Sequence, residues 1–270
     1  MKILLLTQVV PYPADSGPKI KTFNVLRYLA QSHEVHLASF ARSTAEEAST
    51  KYLAGLCATI STVSLRRSRL RDLGHLTRSV VTGRPFLIER DDSQEMRRMI
   101  LSLVQKERFD AVHADQLSMA QFAIDLPVPI RVLDEHNAVW TIVERAAKQE
   151  GRGPRRLLAE LEWRKLRSYE GRVCRRFDLV TVVSVEDYIS LAEAARAPFP
   201  TEIIPIAIDA EELRFAARVP EARHILSIAT MFYPPNVEGV HWFATRVSPS
   251  SGSGLGIRCS TSSAAVHRVR

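Results

Sequence analysis

Residues 2–7 (KILLLT) form a short apolar run, and the loop TQVVPYPADSGPKI follows at residues 7–20. The run is aliphatic and too short for a core helix, so it predicts a β-strand buried on both faces. The loop holds three prolines and Gly17 and leads directly into an amphipathic helix pattern. A buried strand, a long loop and a helix in this order are typical of the first unit of an open α/β sheet.

The same alternation of short β-rich runs and helical segments continues along the chain. It predicts an α/β fold, a parallel sheet with helices on both faces. We predict N-caps at Asp92 or Ser93 and at Ser184. The predicted strands lie at residues 2–7, 34–40, 60–65, 109–114, 130–135 and 178–184, and the predicted helices at 19–31, 44–56, 92–107, 138–149, 155–175 and 186–196.

Composition limits the function classes. The 270 residues carry a formal net charge of +7, which indicates an acidic partner: nucleic acid, a phosphorylated small molecule or an anionic membrane surface. The three cysteines lie far apart without metal-ligand spacing, so we expect no disulfide framework and no zinc site, and a reducing cytoplasm fits. No window reaches the roughly 18 apolar residues of a membrane span.

The loop after the first strand is the first candidate binding element. In open α/β sheets, ligands bind beyond the carboxyl ends of the strands, beside helix N-termini. Gly17, flanked by Asp15 and Lys19, would let the backbone approach a ligand closely. The loop lacks G-x-G-x-x-G, the fingerprint of dinucleotide binding, and it lacks the P-loop pattern G-x-x-x-x-G-K-[ST]. Neither a classical dinucleotide site nor a P-loop nucleotide site is therefore indicated. The alternative is that Gly17 only permits a turn.

Two histidines follow predicted strands. His113 comes after FDAV and His136 after VLDE, so we expect both at the carboxyl edge of the sheet, near the opening loop. Asp134, Glu135 and Asn137 crowd the turn of His136, and Asn137 is predicted to cap the next helix. His136 could act as a general base or bind a phosphate or sugar hydroxyl. A satisfied structural histidine is the alternative for His113.

Five segments together carry a family resemblance. In order they are PYPADSGPKIKTFNVLRYLA, DEHNAVWTIVERAA, FDLVTVVSVEDYISL, IIPIAIDAEEL and MFYPPNVEGVHWFA. They resemble the GT-B glycosyltransferases of the large retaining group called family 4, in particular its bacterial sugar transferases for polysaccharide and exopolysaccharide assembly. The similarity runs from residue 1 to about residue 247.

The resemblance implies two Rossmann-like domains that face each other across a cleft, with acceptor on the N-terminal side and nucleotide-sugar donor on the C-terminal side. It implies hexosyl transfer with retention, without a metal cofactor, on a saccharide or lipid-linked acceptor. Gly17 would lie near the donor diphosphate and His136 at the reacting centre. We therefore predict a catalytic His136 and the substrate-binding residues Asp15, Gly17, Lys19, His113 and Asn137.

The chain also departs from the family pattern. Pro18 replaces a usual second glycine, Ile206-Ala207-Ile208 replaces the usual crossover, and Ala229-Thr230 replaces a strand-ending glycine. Residues 248–270 are rich in Ser, Gly and Arg and lack a periodic apolar face. We expect a C-terminal truncation, with a frameshift near residue 247 as its origin, and weak or no activity unless a separate polypeptide completes the cleft. A natural flexible tail is the alternative.

The expected domains are an acceptor-side domain at 1–205, a crossover and incomplete second Rossmann-like domain at 206–247, and a disordered tail at 248–270. In the second domain, HILSIA at 224–229 resembles a first strand and PNVEGVHWFATRV at 235–247 a first helix. The basic segments 65–86 and 153–177 suggest peripheral contact with the inner face of the cytoplasmic membrane. Alternatively they are ordinary surface helices whose apolar stripe packs on the sheet.

Rival functions are a non-catalytic acceptor-binding fragment and a GT-B-like sugar-nucleotide epimerase. No helix-turn-helix, RNP motif or zinc finger supports a nucleic-acid binder.

Overall fold

A computed structural model of the protein describes residues 1–65, 68–208, 227, 229 and 234–247. The chain divides into two compact units, Met1–Ile208 and Asp209–Arg270. The predicted domain boundaries stay a prediction. The predicted strand at 224–229, apart from Ser227 and Ala229, and the predicted tail at 248–270 lie outside the described residues.

The first unit is built on a seven-stranded sheet in the order β3-β2-β1-β4-β5-β6-β7. Every neighbouring pair of strands runs parallel. The strands are β1 (Lys2–Thr7), β2 (Glu34–Ala41), β3 (Thr59–Ser64), β4 (Ala111–Asp115), β5 (Ile130–Glu135), β6 (Leu179–Val182) and β7 (Thr201–Ile203).

Helices connect these strands. They are α1 (Gly17–Ala30), α2 (Thr44–Leu53), α3 (Arg69–Thr82), α4 (Phe86–Arg90), α5 (Gln94–Lys106), α6 (Leu117–Ala123), α7 (Val139–Gln149), α8 (Pro154–Cys174) and α9 (Val185–Ala195). In the second unit, α10 (Pro234–Trp242) continues into a π-helical segment, Phe243–Val247, where the sequence predicts a helix.

The alternation of β1 explains why helices lie on both faces. Leu5 belongs to a core shared with Leu26 of α1 and Leu53 of α2. Leu4 and Leu6, which point the other way because strand side chains alternate, belong to the larger core formed with α5, α6, α8 and α9. The predicted fold, a Rossmann-like parallel sheet with helices on both faces, is confirmed.

The six predicted strands and six predicted helices are all present, with shifted ends. Ser93 and Ser184 cap α5 and α9, each accepting a hydrogen bond from a backbone N–H three residues on. The sequence patterns did not predict α4, α6 and β7, whereas α3 lies in the basic segment 65–86, for which a surface helix was one of the two interpretations. Both α4 and β7 are too short for a periodic signal, and α3 leaves large apolar side chains exposed instead of burying a stripe.

The strand order also locates the place where a ligand can bind. The chain runs outward from β1 to β3 and then returns to add β4 on the other side of β1. Loops after β1 and β4 therefore diverge and leave a crevice at the carboxyl edge, which is where open α/β sheets bind ligands. Among the described residues, no helix has the length and apolarity to cross a membrane.

Candidate active site

The loop after β1 is tied to the body of the unit. Gln8 donates a hydrogen bond from Nε2 to Asp91 Oδ2 at 2.6 Å. Val10 is fully buried, and the ring of Tyr12 stacks on Tyr52 with 3.9 Å between centroids. These contacts fix the start of α1, and they place its first turns over the carboxyl ends of β4 and β5.

Two aspartates lie side by side at that edge. Asp115 ends β4, Asp134 lies near the end of β5, and the two are register partners on adjacent strands. Each is about 1% exposed, so water does not solvate either carboxylate or screen the repulsion between them. Like charges placed directly opposite each other in a sheet repel, and burial adds a desolvation cost. The pair is stable only if other groups supply positive charge and hydrogen bonds.

Residues from α1 and β6 supply part of that compensation. Lys21 Nζ lies 2.5 Å from Asp134 Oδ1, and both side chains are buried. Thr181 of β6 donates a hydrogen bond to the same oxygen at 2.5 Å. Thr22 donates to Asp115 Oδ1 at 2.9 Å. The helix that follows the opening loop is therefore joined to both aspartates through adjacent residues.

His136 completes the compensation. Its Nε2 lies 3.0 Å from Asp115 Oδ1 and 3.6 Å from Asp134 Oδ2. Burial opposes charging the ring, but hydrogen bonds and attraction from the two carboxylates outweigh burial and raise the pKa of His136 to about 9. Although burial opposes its ionisation, Asp134 has a pKa held far below the usual range by His113, His136 and Lys21. The two aspartates therefore share one buried cluster with Lys21, His136 and His113.

The charge on His136 decides between the chemical roles predicted for it. An imidazolium has no lone pair to accept a proton, so near neutral pH His136 donates hydrogen bonds and does not act as a general base. Its Nδ1 is buried without a hydrogen-bond partner, as are Asp115 Oδ2 and His113 Nε2. The cluster thus contains a buried donor on His136 and a buried acceptor on Asp115, each without a hydrogen-bond partner.

Asp115, Asp134 and His136 are also the residues to weigh as a metal site. Within the described residues, they form the group whose ligand atoms all lie within 4.8 Å of one another. Lys21 already lies on Asp134, and His136 points the same nitrogen at both carboxylates. A metal would have to displace these internal cations, so the arrangement fits a self-neutralised cluster better than a metal site.

Gln116 shows backbone strain at the same edge. It follows Asp115 directly and has φ of 70° and ψ of 156°, a conformation unfavourable for a residue with a side chain. Its backbone N–H donates to the Asp134 carbonyl at 2.8 Å, which holds the ends of β4 and β5 together. No sequence pattern singles out this position.

Two of the predicted site residues, His113 and His136, lie in the cluster, whereas Asp15 and Lys19 lie outside it. His136 follows the end of β5, as expected, and Gly17 begins α1, four residues before Lys21. The prediction that His113 ends a strand is wrong, because β4 continues to Asp115 and places His113 in mid-strand, 3.8 Å from Asp134 Oδ2.

Asp15 and Lys19 lie in a separate ion pair. Lys19 Nζ is 3.3 Å from Asp15 and 3.7 Å from Glu46 of α2, so carboxylates already compensate its charge. Their role in substrate binding stays a prediction, as does that of His113. Sequence patterns did not single out Lys21. It lies four residues after Gly17 in α1, and residues at this spacing share one face of a helix.

The prediction that Asn137 caps the next helix is wrong. Asn137 is exposed, and α7 begins after Ala138, which offers no side-chain cap. The N–H groups of Val139 and Trp140 donate instead to Glu170 of α8. Burial, with a smaller contribution from Asp187, raises the pKa of Glu170 to about 8, while burial and Glu170 raise that of Glu135 well above its ordinary value.

The fold and the site define a Rossmann-like α/β unit with a buried charged cluster at the carboxyl edge of its sheet. The profile of the family described as Glycosyltransferase Family 4 matches residues 21–212, more than half of the chain. The chain therefore belongs to Glycosyltransferase Family 4. No curated protein matches it.

Several solved structures are similar to part of the chain. Anabaena HepE in complex with UDP is 12% identical with a TM-score of 0.45, covering 77% of this chain and 45% of its own. Phytolacca americana UGT2 with UDP-2-fluoro-glucose and pterostilbene is 10% identical with a TM-score of 0.42, covering 78% and 56%. A Polygonum tinctorium UDP-glucosyltransferase is 13% identical with a TM-score of 0.43, covering 82% and 55%. The chain thus spans about half the length of these structures.

Replacing Lys21 tests the charge compensation. Lys21→Met should lower the free energy of unfolding by about 3–5 kcal/mol, because it leaves Asp134 buried without its nearest cation. Lys19→Met is the matched control: its partner Asp15 is half exposed, so we expect a loss below about 1 kcal/mol. Urea unfolding at neutral pH measures both, and equal losses would contradict the assignment.

The raised pKa of His136 predicts a pH dependence of stability. A pKa raised from 6.5 to about 9 stabilises the fold fully below pH 6.5, and this contribution is lost as the pH rises through 9. The difference in unfolding free energy between the wild type and His136→Gln should therefore narrow by roughly 3 kcal/mol over that window. A difference that stays constant from pH 6 to about pH 9.5 would show an uncharged ring.

Proposed function

We propose that the protein takes part in retaining glycosyl transfer, of hexosyl type, from a nucleotide sugar to a saccharide or lipid-linked acceptor, in the synthesis of bacterial cell-surface polysaccharide. The observation that carries the proposal is the buried His136–Asp115 pair, at the carboxyl edge of the sheet of a Family 4 chain. The solved structures that are similar to part of the chain are glycosyltransferases, and several are complexes with UDP.

The cluster suits a sugar hydroxyl better than a phosphate. A hydroxyl accepts and donates hydrogen bonds, and the unpartnered Nδ1–H of His136 and Oδ2 of Asp115 are a matching donor and acceptor. Because Lys21 and His136 are each paired with a carboxylate, the cluster has no spare positive charge for a diphosphate. In this proposal His136 and Asp115 orient a sugar ring, and orientation supplies a large part of the rate.

The start of α1 is the proposed contact for the diphosphate. Ser16 makes no side-chain hydrogen bond to the first turn of α1, and the helix carries no acidic residue there. A Cβ at Gly17 would meet nothing within 4 Å, so the fold itself leaves room for a ligand at this position. Backbone N–H groups at a helix N-terminus favour anions, although Pro18 lacks one.

The proposed transfer needs no metal cofactor. Lys21 lies where a cation would bind Asp134, at 2.5 Å, and His136 supplies the second positive charge. Stabilisation of the leaving diphosphate would then come from backbone N–H groups and basic side chains. A non-catalytic acceptor-binding protein is the second candidate, because the cluster alone suffices to bind a saccharide, and turnover distinguishes the two.

Basic helices are the proposed contact with the inner face of the cytoplasmic membrane. On α3, Leu70 and Val81 are 84% and 85% exposed, with Leu73 between them, and arginines lie beside these positions. On α8 the apolar stripe packs inward only in its second half: Leu166 is buried, whereas Leu158 and Leu161 of its first half are exposed. Exposed leucine and valine beside arginine suit an anionic lipid surface.

A transfer assay tests the proposed function. The purified chain, and separately the product of any longer reading frame, would be incubated with a panel of radiolabelled nucleotide sugars and saccharide or lipid-linked acceptors. Where transfer occurs, His136→Gln should lower it at least about 100-fold, because the ring orients the reacting sugar. Glu193→Gln, a surface change on α9, is the control, and EDTA should leave the rate unchanged. Saccharide binding without turnover by either product would favour the non-catalytic candidate.

Vesicle binding tests the membrane contact. Leu70→Ser with Leu73→Ser should weaken co-sedimentation with phosphatidylglycerol-containing vesicles by at least about tenfold, because both side chains would lose apolar burial in the lipid. Tyr28→Ser on α1 is the matched control, since Tyr28 is 73% exposed outside the basic helices. Equal binding to neutral phosphatidylcholine vesicles, or no effect of the leucine changes, would contradict the proposal.

A further inference from the structure

The helix that follows His136 begins in an unusual way. α7 has no side-chain N-cap and no acidic residue in its first turn. Three successive backbone N–H groups at its start donate to carboxylates of other helices. Ala138 donates to Asp187 Oδ1 at 2.8 Å, Val139 to Glu170 Oε1 at 2.7 Å and Trp140 to Glu170 Oε2 at 2.9 Å. Two distant helices, α8 and α9, therefore hold this turn.

Each carboxylate is itself held. Glu170 is fully buried near the C-terminal end of α8. Asp187 accepts a hydrogen bond from Ser184, the N-cap of its own helix, at 2.5 Å. Gly171, beside Glu170, is the point of closest approach to α9, because a Cβ there would lie 2.2 Å from the Ala194 carbonyl oxygen. The small residue lets α8 and α9 pack closely enough to bring both acids under one turn.

We propose that Glu170 and Asp187 are positioning residues, which fix the backbone that leaves His136 and so hold its ring against Asp115. Only Asn137 separates His136 from Ala138, so a shift of the held turn moves the ring as well. The pair joins His136 Nε2 to Asp115 Oδ1 at 3.0 Å, so it depends on the position of the ring. That the positioned ring binds a sugar rests on the function proposed above. That Glu170 and Asp187 position the ring does not depend on that function.

The cost of the arrangement supports a role beyond capping. An Asp or Ser at the N-cap position itself is the usual way to cap a helix. Here a fully buried carboxyl does so, and both oxygens of the neighbouring Glu135 are buried without a hydrogen-bond partner. Burial raises the pKa of both glutamates. Such a costly polar arrangement fixes the start of α7 relative to α8 and α9. A cap from within α7 would not do so, because it would leave the turn free to move relative to these two helices.

The test reads the position of the ring through its titration in the unliganded full chain. NMR of ¹⁵N-histidine-labelled protein, with the His136 signal assigned through His136→Gln, should give the wild-type ring a pKa of about 9. In Glu170→Ala the ring should leave the carboxylates, and its pKa should fall by at least about one unit toward 6.5. Asp187→Asn should shift it in the same direction.

Asp125→Asn is the matched control, because it removes a surface carboxylate that pairs with Arg176 at 2.6 Å. It should leave the pKa of His136 unchanged. A lower melting temperature in Glu170→Ala with an unchanged pKa of His136 would overturn the proposal, since the acid would then serve stability alone. If Glu170→Ala does not fold, the pKa of His136 is measured in Glu170→Gln, which keeps the side-chain size. A fall in this pKa would support the proposal, and an unchanged pKa would overturn it. Absence of glycosyl transfer would count against the proposed function but leaves this measurement unaffected.

Discussion

The two aspartates buried side by side at the ends of β4 and β5 impose the main constraint on this structure. Asp115 and Asp134 are register partners on adjacent strands, so their charges repel and neither is solvated. Lys21 and His136 are the cations that neutralise them. Because a buried charge without a partner is strongly unfavourable, the pair dictates where α1 must lie and how the turn after β5 must run.

This constraint joins parts of the chain that lie far apart in sequence. Lys21 is separated by more than one hundred residues from Asp134, and Thr181 reaches the same oxygen from β6. Replacing such a polar cluster with apolar side chains would often stabilise a fold equally well. Its retention at the carboxyl edge, with unpartnered polar atoms on His136 and Asp115, is understandable if the cluster binds a hydroxyl-rich ligand.

A second set of carboxyls lies on the opposite face of the sheet. Glu135 follows Asp134 in β5 and therefore points toward α8, where it faces Glu170. The turn that carries His136 thus lies between a neutralised cluster on one face and a pair of protonatable acids on the other. The first set holds the ring, and Glu170 of the second set, together with Asp187, holds the backbone that carries it. Positioning of this kind is worth orders of magnitude when a ring has to orient a reacting sugar.

The sequence by itself determined the α/β class, the six main strands and helices and the place of His136 after β5, because apolar periodicity and local turn chemistry are properties of neighbouring residues. Only the tertiary structure decided that Lys21 compensates Asp134, that His113 lies within β4 and that Glu170 caps α7. Those contacts depend on strand order and on which helix faces which strand end. Burial then converts the contacts into charge states, and burial is a property of the whole fold.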